Sequence, residues 1–245
     1  MNETDIEDLL SQMKALLKPI LRKSGSVFYS GSKMLDSPSR YYLMGLNPGG
    51  KPESPEEAKI EESLVSWKGE APNWSAYMDQ DWGKGHRQGV CKFCEGCLRV
   101  ESARDVFSAN AIFERTEKGT HLSKDPERDR ICWQVHQLLF SRIQPEYIIC
   151  LGHGSASSFQ WLKERLNVAV RPHEHSSQPE KENERRFYIR WFERDQIQVK
   201  VLGLERLVRV IGVPHPSWFG LGSDKFTKEW NALSPLSSAP LKGKP

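Results

Sequence analysis

Four short apolar runs, separated by segments long enough for helices, set the fold this chain can reach. They are YYLMGL from Tyr41, DVFSA from Asp105, YIICL from Tyr147 and LVRVIGV from Leu207. Runs that are apolar at consecutive rather than alternate positions fit strands buried on both faces, as in a parallel sheet covered by helices. Ile6, Leu9, Leu10, Met13, Leu16 and Leu17 recur at helical spacing and predict a helix over residues 3–22. Residues 125–141 read as another, with Pro126 near its start and Ile131, Val135, Leu138 and Leu139 on one face. Further helical segments are expected at 55–67, through Phe159, Leu162 and Leu166, and at 224–233. Residues 171–185 read as a polar loop, and 187–192 pairs with 197–202 as a hairpin. The expected architecture is one three-layer α/β/α domain over residues 1–235 with a central, mainly parallel four-stranded sheet. It carries an insertion at about 171–205 and a disordered tail at 236–245.

In an open parallel sheet, ligands bind outside the carboxyl ends of the strands. That rule gathers Asn47, Asn110, the turn at 152–155 and His215 onto one rim, each directly after an apolar run. The turn GHGSASS after Leu151 lacks the lysine of a nucleotide-binding phosphate loop, which argues against a nucleotide hydrolase. Lys and Arg total 35 against 32 Asp and Glu, a net charge of +3 that permits an anionic partner without demanding one. No apolar run approaches the roughly 20 residues a membrane span requires. The first residues are acidic rather than basic and five cysteines leave an odd count, so a cytoplasmic protein with free or metal-binding thiols is expected.

The motifs GLNPGG (Leu46 to Gly50 within it) and HPSWF (His215 to Phe219), with a strand ending in Asn110 between them, resemble the uracil-DNA glycosylase superfamily. The likeness is to its mismatch-specific and single-strand-selective branches and covers the core from about Tyr41 to Phe219, while the first helix and residues 50–104 and 171–205 carry none of it. It implies a uracil-DNA glycosylase-like fold and a monofunctional enzyme, needing no cofactor or metal, that flips a pyrimidine out of DNA and hydrolyses its N-glycosidic bond. By the same resemblance Asn47 orients the attacking water, and His215 donates a hydrogen bond to pyrimidine O2. The backbone N–H of Leu46 or Asn47 assists at that oxygen. Asn110 reads the base edge, and its amide suits uracil or cytosine according to its rotation. Gly49 and Gly50 stand where the most uracil-restricted members carry a tyrosine, so the resemblance leaves room at C5. Glycine at Gly49 has a second reading as a turn residue with positive φ. Ser217 matches a hydroxyl that contacts a DNA phosphate, and Trp218 and Phe219 match a wedge that enters the duplex. The substrate is then uracil or a C5-modified pyrimidine such as the modified cytosine of viral DNA, giving a role in repair or in anti-phage defence. The alternative is a non-catalytic, DNA-binding module that recognises a flipped or modified base. The partner in either case is DNA, with no membrane, and the protein is expected to act as a monomer.

Other residues stay open between function and packing. Cys91, Cys94 and Cys97 have short thiolate spacing suited to zinc or iron–sulfur, with His86 the nearest further ligand, but also fit one apolar helix face. Cys132 and Cys150 read as core, while His121, His136, His153, His173 and His175 are scattered, the last two in a polar, solvated loop. Arg185, Arg186, Arg190 and Arg194 form a solvated hairpin face or hold a phosphate backbone. A stacking aromatic for the base is expected among Trp67, Trp74, Tyr77 and Trp82.

Overall fold

A computed structural model of the chain describes residues 3–36, 39–54, 58–81, 83–167, 173–177, 188–193, 208–217 and 220–233. Its strands are β1 (Tyr41–Gly45), β2 (Phe107–Asn110), β3 (Tyr147–Leu151), β4 (His173–Ser176), β5 (Tyr188–Glu193) and β6 (Arg209–Val213). They form one sheet in the order β2-β1-β3-β6-β5-β4. The first four in that order, which are the four apolar runs, are mutually parallel. The sheet is six-stranded rather than four-stranded because β5 adds antiparallel to β6 and β4 antiparallel to β5.

The partner of β5 differs from the expected one. It is the segment HEHS, read from sequence as loop, whereas 197–202 lies outside the described residues. HEHS carries no apolar signal because β4 is an edge strand held by its backbone ladder and cross-strand pairs. His173 stacks on Trp191 with centroids 5.5 Å apart, and Arg190 donates to Glu174 across 2.6 Å. His175 is not merely solvated, since its Nε2 lies 2.8 Å from Glu229.

Consecutive residues of the central strands face opposite layers, which explains their unbroken apolarity. Tyr42, Met44, Ile148, Cys150 and Val210 pack in one core with helices α1 (Glu3–Leu17), α2 (Ile60–Gly69), α5 (Pro126–Ile143) and α6 (Ser158–Arg165). Tyr41, Leu43, Tyr147, Ile149 and Val213 pack in the other. That second core includes Tyr77 of α3 (Ala76–Asp79), Val90 and Phe93 of α4 (Lys84–Phe93), and Phe226 and Trp230 of α7 (Asp224–Ala232). Helices therefore cover both faces. Helix α1 stops short of residue 22 because Pro19 has no N–H to donate and disfavours helical geometry at Lys18. Helix α5 starts where expected, with the Asp125 carboxylate accepting from Arg128 N at 2.9 Å and Pro126 in the first turn. No helix among the described residues is long and apolar enough to cross a membrane.

The chain leaves β1 for β2 on one side and then reaches β3 on the other. That reversal is a topological switch point, where the connections diverge and leave a crevice at the carboxyl ends.

Candidate active site

A cleft of about 1450 Å³ opens at that end of the sheet. Leu46, Asn47, Gly49 and Gly50 line it after β1, Asn110 at the end of β2, Gly152 and His153 after β3, and His215 and Ser217 after β6. The structure thus brings together every sequence-predicted site residue it describes. Trp218 and Phe219 lie outside the described residues.

Asn47 is held by hydrogen bonds that define its orientation. Its Nδ2 donates to the Pro48 carbonyl and to Thr116 Oγ1, both at 2.8 Å. Thr116 in turn spends its only hydroxyl proton on the Lys118 carbonyl at 2.8 Å. A carbonyl can only accept, so the nitrogen must face Pro48, and Oδ1 is the atom left to accept a proton. Thr116 was not legible as a site residue: it sits in a polar loop and acts only through this contact.

Gly49 does not carry the positive φ considered for it; in this turn that conformation belongs to Gly50, at 112°. A Cβ at Gly49 meets nothing within 4 Å, so the position faces open space. Its carbonyl accepts from Arg115 Nη1.

Asn110 is buried, and its Nδ2 has no hydrogen-bond partner among the described residues. An orphaned buried amide costs about 1–3 kcal/mol, and a bound group that accepts from it recovers that loss. The Asn110 side chain fits because its β1 neighbour is Gly45: a Cβ there would stand 2.4 Å from Asn110 Oδ1. Behind it lies fully buried His136 of α5, whose Nε2 donates to the Asn110 carbonyl at 2.9 Å while Nδ1 accepts from Tyr42 OH at 2.8 Å. Burial pushes the His136 pKa down to about 4, so the ring is neutral at pH 7. Gly45→Ala is expected to displace only the end of the asparagine side chain. It should leave thermal unfolding within a few degrees of wild type while weakening ligand recognition by Asn110 about tenfold, read by melting and binding titrations.

His215 stands on the exposed lip of the cleft, and its Nδ1 accepts from Ser217 N–H at 3.3 Å. The neutral ring therefore carries its proton on Nε2, as a donor. Surrounding protein excludes enough water to lower its pKa. His86 of α4 lies beside it, with ring centroids 5.1 Å apart and Nδ1 3.3 Å from Ser217 Oγ. Its own pKa falls to about 4, through desolvation first and then through the neighbouring His215.

No family model matches the chain, and no curated protein matches it. The site therefore has to be read from its own chemistry. Trp67, Trp74 and Tyr77 all line the cleft, and Trp82 lies outside the described residues. Trp67 stacks on Phe28 at 4.2 Å and donates Nε1–H to the Ser30 carbonyl, whereas Tyr77 lies parallel to His86 at 6.1 Å. Cys94 and Cys97 are core residues, and burial drives both thiol pKa values up, that of Cys97 to about 12. Cys132 and Cys150 are likewise core. Half-buried Cys91 directs its Sγ at the Tyr77 carbonyl, 3.8 Å away. Among the described residues no group of three or more His, Cys, Asp and Glu side chains is arranged to hold a metal ion. Arg190 is engaged by Glu174 and by the His153 carbonyl, at 2.6 and 3.2 Å, rather than lying free on a solvated face. Arg185, Arg186 and Arg194 lie outside the described residues.

Proposed function

We propose that this chain is a DNA glycosylase of the uracil-DNA glycosylase type, which hydrolyses the N-glycosidic bond of a flipped pyrimidine. One observation carries the reading: a carboxamide with only its oxygen left to accept and an imidazole with its Nε2–H left to donate line the same cleft. Asn47 Oδ1 accepts from a water and aims its oxygen at C1′ of the sugar. The water oxygen bonds to C1′ as the C1′–N1 bond breaks, the bonding pair leaves with the base, and the proton shed by the water passes through solvent to the base anion. His215 Nε2–H stabilises the charge growing on O2, an effect of about 3 kcal/mol when a donor is pre-placed. Asn110, buried at the cleft end of β2, reaches the base edge with its amide once the side chain rotates outward. An amide is a weaker base than a carboxylate, so slower chemistry, or a better leaving group, is expected.

The open space at Gly49 supports uracil or C5-modified pyrimidines as substrates, the latter in a defence against modified viral DNA. Oligonucleotides bearing uracil, thymine mispairs or 5-substituted cytosines, treated with alkali after incubation, test the reaction. Strand breaks at one of these bases are the expected result. Retention of the oligonucleotide without any break assigns the cleft to base recognition alone. Gly49→Tyr is expected to keep uracil excision within a few-fold and to suppress excision of 5-substituted bases about 10²-fold, a loss of about 3 kcal/mol from filling the space at C5.

A further inference from the structure

His86 belongs to a segment that carries none of the resemblance, yet it lies against the residue with the most direct role in the proposed chemistry. Ser217 joins the two rings: its N–H reaches His215 Nδ1 at 3.3 Å and its hydroxyl lies 3.3 Å from His86 Nδ1. The rings are tilted by 59° with centroids 5.1 Å apart, and Tyr77 backs His86 in a parallel arrangement. Helix α4 meets the His215 turn at a second point. Gly89 lies three residues on from His86, hence on the same helix face, and a Cβ there would sit 3.2 Å from the Pro216 carbonyl. The helix is therefore docked on the turn 215–217 at two points, Pro216 and Ser217.

We propose that His86 is a positioning residue for His215, fixing through the Ser217 hydroxyl the turn whose N–H holds the imidazole with Nε2–H directed into the cleft. Without His86 the Ser217 hydroxyl loses its ring partner and the turn is free to rotate. The Ser217 N–H then swings away from Nδ1. His215 samples both neutral tautomers, one of which presents a lone pair instead of a proton to the oxygen it is meant to stabilise. The catalytic part of this inference rests on the glycosylase reading, but the coupling between the two histidines does not.

The test is made on the full-length protein with ¹⁵N-labelled histidine at pH 7.5, beside single-turnover excision. In the wild type, the His215 nitrogen shifts are expected to report a single Nε2–H tautomer. His86→Phe keeps a ring on Tyr77 but has no nitrogen for Ser217, so its His215 shifts are expected to move towards the averaged values of mixed tautomers. Its kcat is expected to fall roughly tenfold with KM nearly unchanged, as loss of one orienting hydrogen bond implies. His86→Asn places a polar atom near the position of Nδ1 and is expected to restore both readouts to within about threefold. Ser217→Ala breaks the same link from the other side and is expected to reproduce the tautomer change even if His86→Phe folds poorly. Unchanged His215 shifts in both His86→Phe and Ser217→Ala would overturn the proposal, as would equal losses in His86→Phe and His86→Asn. A wild type inactive on every oligonucleotide sinks the glycosylase reading instead, while the nitrogen shifts still decide whether His86 sets the tautomer.

Discussion

Asn47→Ala is expected to slow excision by about 10²- to 10⁴-fold in single-turnover assays, the range for loss of a group that positions and polarises a reacting water. Affinity for an uncleaved oligonucleotide should hardly change, because in the proposed reaction the amide touches the water and the sugar rather than the base or backbone. Asn47→Asp is the more informative change, since a carboxylate is the stronger base and a gain in rate is the naive expectation. The surroundings of Asn47 argue for a loss. The Pro48 carbonyl, 2.8 Å from Nδ2, can only accept, and the Thr116 hydroxyl proton is already given to Lys118. An aspartate oxygen in that position meets two lone pairs, so the group either rotates out of place or takes up a proton that cancels its basicity. Asn47→Asp is thus expected below wild-type activity at pH 7. A faster Asn47→Asp enzyme would show that the amide is not held as described.

How much of this was legible in the sequence follows from which signals are local. The four parallel strands announced themselves because residues such as Tyr41 and Tyr42, or Ile148 and Ile149, are buried on opposite faces and leave no polar alternation. The strand ends then delivered Asn47, Asn110 and His215 to one rim by topology alone. His136 read from sequence only as one of several scattered histidines, although with Cys132, Val135, Leu139, Phe140 and Ile143 it falls on the core side of α5. Its bond to the Asn110 carbonyl was not legible, because that contact joins residues 26 apart through the fold. Strand β4 was missed for the opposite reason, since HEHS is stabilised by pairing with β5 and has almost no apolar surface of its own. Thr116 and His86 share one difficulty. Each is a polar residue without a motif around it, and its place in the site comes from contacts made only through the fold.

His215→Ala is expected to cost about 10²- to 10³-fold in kcat, the loss seen when one pre-placed donor to a developing oxyanion is removed. Its dependence on pH separates a neutral donor from a cationic one. Desolvation lowers the His215 pKa, so the ring is neutral at pH 7 and stays neutral somewhat below its ordinary range near 6.5. Protonation adds a hydrogen to Nδ1, the atom that accepts from Ser217 N–H, and sets two donors against each other. The turn must then open, and Nε2–H loses its aim although the ring has gained charge. Activity is therefore expected to be level from pH 8 to about 6.5 and to fall only as acid reaches the lowered pKa, because Asn47 does not titrate. A buried carboxylate base would put its own limb on the same profile. Stability moves in the same direction. The unfolded histidine, with its unshifted pKa, binds a proton first, so acid favours unfolding progressively below about pH 6.5. A rate that instead rises on acidification through pH 6 would mean that an imidazolium does the work and that the Ser217 bond is broken in the active enzyme. The His215→Ala profile is expected to lose the acid limb altogether while keeping its low plateau.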